Sequence, residues 1–165
     1  MNNAVILIIG KKRCGKTTMM KTLIKERKNI LIIDPQYQFE KCNNWHVRHD
    51  IIKQEDFEQI CQHVSTLKNI TFCIDEIAFF VHPNTSLQHS FILLLRIAGQ
   101  RGINIITTTH RIADLPQLFL ANLDYLFCFK TQDLRSLETI RQYTNKEFIK
   151  DLHQLPKFKF KIWQF

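Results

Sequence analysis

Nine residues near the start of the chain, Gly10-Lys11-Lys12-Arg13-Cys14-Gly15-Lys16-Thr17-Thr18, fit the phosphate-cradling pattern GxxxxGK[ST]. They follow the apolar run Ala4-Val5-Ile6-Leu7-Ile8-Ile9, and Met20, Leu23 and Ile24 recur behind them at helical spacing. Strand, loop and helix therefore come in the order the pattern requires. A triphosphate is held by backbone N–H groups turned inward around it, and Gly10 and Gly15 supply the bends this needs. Lys16 would reach the outer phosphates, Thr17 would hold a magnesium ion through its hydroxyl, and the positive end of the helix favours an anion. The expected ligand is ATP with Mg2+. Cys14 reads as a small filler, since the sequence implies no partner that would activate its thiol.

A loop of this kind needs carboxylates facing it. The strand Ile70-Thr71-Phe72-Cys73-Ile74 ends in Asp75-Glu76: Asp75 would bind the magnesium through water, and Glu76 would polarise the attacking water as general base. A further strand, 103–106, ends in Thr107-Thr108-Thr109-His110-Arg111, where Thr109 or His110 could sense the γ-phosphate by hydrogen bonding; Thr109 also fits a helix cap. Two of the four glycines, Gly99 and Gly102, bracket Gln100-Arg101 and suggest a second backbone-constrained site.

The remaining pattern predicts a buried strand over 29–34, a short edge strand at 46–48, helices over 55–67 and 86–98, a last strand over 123–129 and a helix over 134–141. Thr144 and Glu147 read as a capping box for a short helix through Leu152. The tail 157–163 alternates, lysines on one face and apolar residues on the other, as an edge strand with its lysines outward or a docking strand for a partner or membrane surface.

At 165 residues the chain is expected to form one domain, 1–165, with any larger machine built by assembly. Its apolar runs are too short for a membrane span, and residues 1–3 lead straight into a strand without the regions of a signal peptide, so a cytoplasmic protein is expected. Five cysteines without CxxC spacing give no zinc signature. The net charge of +8 suggests an acidic partner, for which nucleic acid is the obvious choice.

A strand lies between the phosphate loop and the Asp-Glu strand, as in the ASCE division of P-loop ATPases. Within it, Arg96-Ile97-Ala98-Gly99-Gln100-Arg101-Gly102-Ile103-Asn104-Ile105-Ile106-Thr107-Thr108-Thr109-His110-Arg111 resembles the segment R-A-x-G-I-H-L-I-L-A-T-Q-R-P of the FtsK/HerA-type DNA-pumping ATPases. Ala121-Asn122, Phe129 and Asp133-Leu134-Arg135 look like that family's last strand and following turn. The small genome-packaging ATPases of membrane-containing double-jelly-roll viruses are similar single-domain members. The resemblance implies an α/β three-layer fold with a mainly parallel sheet in the order 5-1-4-3-2. It also implies a homo-oligomeric ring, pentamer or hexamer, that hydrolyses ATP to move double-stranded DNA in the host cytoplasm or virion, with capsid or membrane-vertex proteins as further partners. Arg101 first and Arg96 second are its candidates for an arginine reaching a neighbouring subunit's γ-phosphate. The chain departs from the family in having His110 before Arg111-Ile112 where the family has Gln before Arg-Pro. A nucleotide or nucleoside kinase and a non-motor ATP-binding assembly factor are the competing readings.

Overall fold

The computed structural model of the protein describes residues 3–40, 45–83 and 86–165; Met1 and Asn2, part of the leader argument, and Cys42 lie outside them. Among the described residues the centre is a seven-stranded sheet: Val5–Ile9 (β1), Ile30–Ile33 (β2), Trp45–Arg48 (β3), Thr71–Ile74 (β4), Asn104–Thr109 (β5), Tyr125–Phe129 (β6) and Phe160–Gln164 (β7). The order is β3-β2-β4-β5-β1-β6-β7, parallel throughout except for the antiparallel pair β6 and β7. This differs from the expected 5-1-4-3-2 by one strand at each edge; the five main strands read from the sequence run β6-β1-β5-β4-β2 inside it.

Strands covered on both faces must be apolar throughout, which is why β1 and β4 read as unbroken runs and are buried along their whole length. The helices are Lys16–Ile24 (α1), Gln54–Thr66 (α2), His89–Arg101 (α3), Gln117–Leu120 (α4), Leu134–Tyr143 (α5) and Lys146–Gln154 (α6). On one face α1 sets Met20 and Ile24 against Ile6, Ile8, Ile32 and Phe127. On the other, α2, α3, α5 and α6 set Phe57, Phe91, Ile140 and Phe148 against Leu7, Phe72 and Ile105, with Phe57 stacked on Phe80 at 4.6 Å between ring centroids. The α/β three-layer architecture follows. No described helix is long and apolar enough to cross a membrane.

Several expectations change. Helix α3 runs on through Arg101, so Gly99 is an ordinary helical residue with open space where a side chain would go. Only Gly102 is constrained: it caps the helix at φ 70°, and a Cβ there would meet the Asn69 side chain at 2.3 Å. Strand β5 extends to Thr109, which rules out Thr109 as a helix cap. Helix α6 is capped by Asn145, whose side chain accepts from Phe148 N; Thr144 instead donates to Ile140 O in the helix before. In β7, Lys161 and Trp163 turn inward because α6 packs there, with Lys161 paired to Asp151 and Trp163 against Phe148. Phe160 and Ile162 lie on the other face, 36% and 45% exposed with Phe160 against Phe127 and Phe129, so the lysine-outward expectation fails at Lys161.

Candidate nucleotide site

Because β1, β4 and β5 are parallel, their C-terminal ends meet at one edge of the sheet, where loops from different parts of the sequence gather. The phosphate loop leaves β1 there. Its first glycine has no substitute: a Cβ on Gly10 would lie 2.6 Å from Cys14 Sγ and 2.7 Å from Phe129 Cβ. Gly15 caps α1 at φ 109°, turning the helix N-terminus toward a cavity of about 380 Å³. Lys12, Arg13, Lys16, Thr17, Thr18, Asp75, Glu76 and His110 all line it, together with Thr108, Gln36 and Gln38.

Lys16 is 7% exposed, and its Nζ donates to Gly10 O at 2.8 Å, to Lys11 O at 3.2 Å and to His110 Nδ1 at 2.9 Å. An ammonium has donors only, so Nδ1 accepts, and its 3.3 Å approach to Gly10 O joins two acceptors. The imidazole proton therefore sits on Nε2, which lies 3.3 Å from Glu76 Oε2. Burial lowers the Lys16 pKa, while the nearby Cys14, Glu76 and Asp75 oppose that shift.

Glu76 follows β4 in the left-handed region at φ 53°, a conformation that costs a non-glycine residue about 1–3 kcal/mol and is kept only where the surroundings hold it. They do so from β5. Thr108 Oγ1 accepts from Glu76 N at 2.8 Å and donates to Asp75 Oδ1 at 2.8 Å. Thr109 Oγ1 donates to Glu76 Oε1 at 2.8 Å, and His110 N reaches the same oxygen at 3.2 Å. Burial pushes the Asp75 carboxyl up to about 6; the Asp34 and Glu76 carboxylates add to this, and the Thr108 hydroxyl and Lys16 oppose it.

A carboxylate held this high beside two others suits a cation. Among the described residues no group of three or more His, Cys, Asp or Glu side chains could hold a metal unaided. A magnesium ion here would therefore rest on Thr17, Asp75 and the phosphates themselves, and would supply charge neutralisation at the outer phosphates.

The structure brings Lys16, Thr17, Asp75, Glu76, Thr109 and His110 together, and both sensor candidates touch Glu76. Lys11 and Cys14 face the far side of the loop, and burial raises the Cys14 thiol pKa, in keeping with a filler. Arg96 and Arg101 do not line the cavity; Arg101 ends α3 and donates to Thr66 O. Thr108 was missed as a site residue. The available signal was the threonine run itself: with β5 continuing through Thr107-Thr108-Thr109 beside β4, Thr108 and Thr109 lie on opposite faces and each reaches one of the two carboxylates, Thr108 to Asp75 and Thr109 to Glu76.

A family model described as an AAA domain matches residues 2–108. No curated protein sequence matches the chain. Among solved structures, the genome packaging NTPase B204 of Sulfolobus turreted icosahedral virus 2, in complex with ATP-gammaS, superposes with a TM-score of 0.83 at 18% identity, covering 98% of this chain and 92% of that one. The DNA-packaging ATPase B204 of Sulfolobus turreted icosahedral virus gives 0.83 at 19% identity over the same shares. The N-terminal domain of zonular occludens toxin from Neisseria meningitidis gives 0.61 at 12% identity, covering 81% and 80%. These likenesses match the fold expected from the FtsK/HerA-type resemblance. With its phosphate loop and Asp-Glu strand inside the matched family model, which ends at residue 108 within β5, the chain belongs to the AAA domain family and has the fold of the viral genome-packaging NTPases.

Proposed function

We propose that the protein is a Mg-dependent ATPase that couples hydrolysis to movement of double-stranded DNA, as one subunit of a ring that packages a viral genome. The observation that carries the reading is the convergence of Lys16, Thr17, Asp75 and Glu76 on one cavity at the helix N-terminus, with Glu76 held from β5. Lys16 binds the outer phosphates, Thr17 and Asp75 position the ion, and Glu76 orients water for in-line attack. His110, which lines the cavity, and Thr109, buried behind it, report the γ-phosphate through Glu76, a reading supported by their hydrogen bonds to its carboxylate. The packaging role is supported by likeness to the B204 proteins over nearly the whole of each chain, and DNA as partner by the net charge of +8. Arg101 and Arg96, away from their own cavity, are the candidates for contact with a neighbouring subunit.

The test is phosphate release from ATP, with and without double-stranded DNA, across a salt series, for wild type and Glu76→Gln. Turnover that requires Glu76 and rises with DNA at low salt is expected, since salt competes for backbone contacts. Turnover indifferent to DNA at every salt concentration would remove the motor and leave an ATPase. Absence of turnover at all would overturn the enzyme.

A further inference from the structure

The phosphate loop has a second flank. Opposite the carboxylates, a groove of about 320 Å³ is lined by Phe129, Phe158 and Cys14, and Lys12 and Arg13 border both it and the phosphate cavity, so the two adjoin at the loop. Phe158 is 59% exposed and holds a left-handed backbone at φ 64°, a conformation aromatic residues seldom keep without a reason. The effect is to set its ring beside the loop: a Cβ on Gly15 would lie 3.4 Å from Phe129 Cε1 and 3.7 Å from Phe158 Cδ1.

In-line attack fixes the direction of a bound triphosphate. The water activated by Glu76 approaches the γ-phosphorus from the side opposite the leaving β-phosphate, so the nucleoside must point away from Glu76. We infer that the Phe129–Phe158 groove receives the nucleobase of the triphosphate, stacked on Phe158, a deepening that rests on the ATPase reading above. Lys157 Nζ now lies 4.9 Å from the Phe158 ring centroid, a cation that an entering base replaces over the same face. No carboxylate lines the groove, and its one side-chain amide, Gln132, already accepts from Lys11 Nζ through Oε1. With no carboxylate in the groove to select among base donors, recognition rests mainly on stacking, which every base offers, and ATP and GTP are expected to bind within a few-fold of each other.

The experiment titrates ATPγS, GTPγS and inorganic tripolyphosphate, each with Mg2+, into wild type, Phe158→Ala and Phe158→Trp, and a single-stranded oligonucleotide into the same proteins. Phe158→Ala should weaken ATPγS about tenfold, as loss of a base–aromatic stack does, leave tripolyphosphate unchanged, and be rescued by Phe158→Trp. Unchanged tripolyphosphate affinity also certifies the fold of the variant. Equal loss for both ligands, or for neither, overturns the assignment, as does weakening confined to the oligonucleotide, which makes the groove a nucleic-acid surface. A wild type that binds tripolyphosphate but gains nothing from the nucleoside overturns the base groove alone, whereas a wild type that binds neither overturns the nucleotide reading with it.

Discussion

The two flanks of the phosphate loop are built on opposite principles. On the β4/β5 flank the two carboxylates that end β4 are tied down by hydrogen bonds: Thr108 ties Asp75 to the Glu76 backbone, and Thr109 and His110 hold the Glu76 carboxylate. On the β6/β7 flank the walls are phenylalanine rings and lysines, with Phe158 largely in solvent. The first flank sets geometry through hydrogen bonds in a buried, low-dielectric pocket, where small displacements matter. The second offers area and charge, which tolerate variation. Chemistry that needs positions fixed to fractions of an ångström would belong on the buried flank, and attachment on the open one, as the proposed readings have it.

The largest effect expected from breaking this contrast is at the shared element. Lys16→Ala should abolish nucleotide binding in a filter or fluorescence assay, because it removes the one buried cation of the site; affinity equal to wild type would separate the loop from the ligand. Glu76→Gln comes next: turnover should fall by about 10²–10⁴-fold, the usual weight of a general base, with nucleotide affinity kept.

Asp75→Asn probes the electrostatics of the buried flank. A carboxyl at about 6 in the fold against 3.8 unfolded makes the native state hold its proton longer, so its cost to stability is absent below pH 3.8, grows as pH rises from there to about 6 and is fully present above it. In EDTA, Asp75→Asn should therefore stabilise the protein by up to about 3 kcal/mol at pH 8, and by little at pH 4. A gain independent of pH in urea unfolding would refute the assignment. Thr108→Val should cost about 1–3 kcal/mol in the same assay, since it leaves a buried N–H and a carboxylate oxygen without their partner.

The smallest effect concerns what links the flanks. Arg111, next to His110, pairs with Asp133 at 2.6 Å, and Asp133 also accepts from Ser136 N to cap α5 beyond β6. The pair is exposed and screened, so Asp133→Ala should cost about 1 kcal/mol, nearly all of it the cap. A much larger loss of turnover than of stability would mean that the flanks are coupled through this bridge.

How much of this could be read from sequence follows the same division. The loop and the Asp75-Glu76 pair were legible because each is contiguous and its chemistry demands fixed spacing. Thr108 was obscured by identical neighbours; only knowing that β5 runs on to Thr109 tells which threonine points where. Phe158 was read as part of an edge strand, because nothing local announces that a residue before β7 returns to Gly15. The direction of β7 was misjudged for a similar reason, since alternation gives two faces and the helix packed later decides which is inner. Asn145 outcompeted Thr144 as a cap by one position, a difference that composition does not resolve.

The hydrogen bonds of Lys16 carry one more consequence. An ammonium has three protons to give, and here all three are spent within the protein, on two carbonyls of the loop and on His110. A phosphate oxygen can reach this cation only by evicting an incumbent, and of the three only the imidazole is a side chain free to rotate. When it leaves, Glu76 loses one of its donors as well. Without ligand the site is thus self-occupied: on the reading proposed above, a phosphate that displaces the imidazole from Lys16 also changes what holds Glu76, which would couple nucleotide arrival to the state of the base.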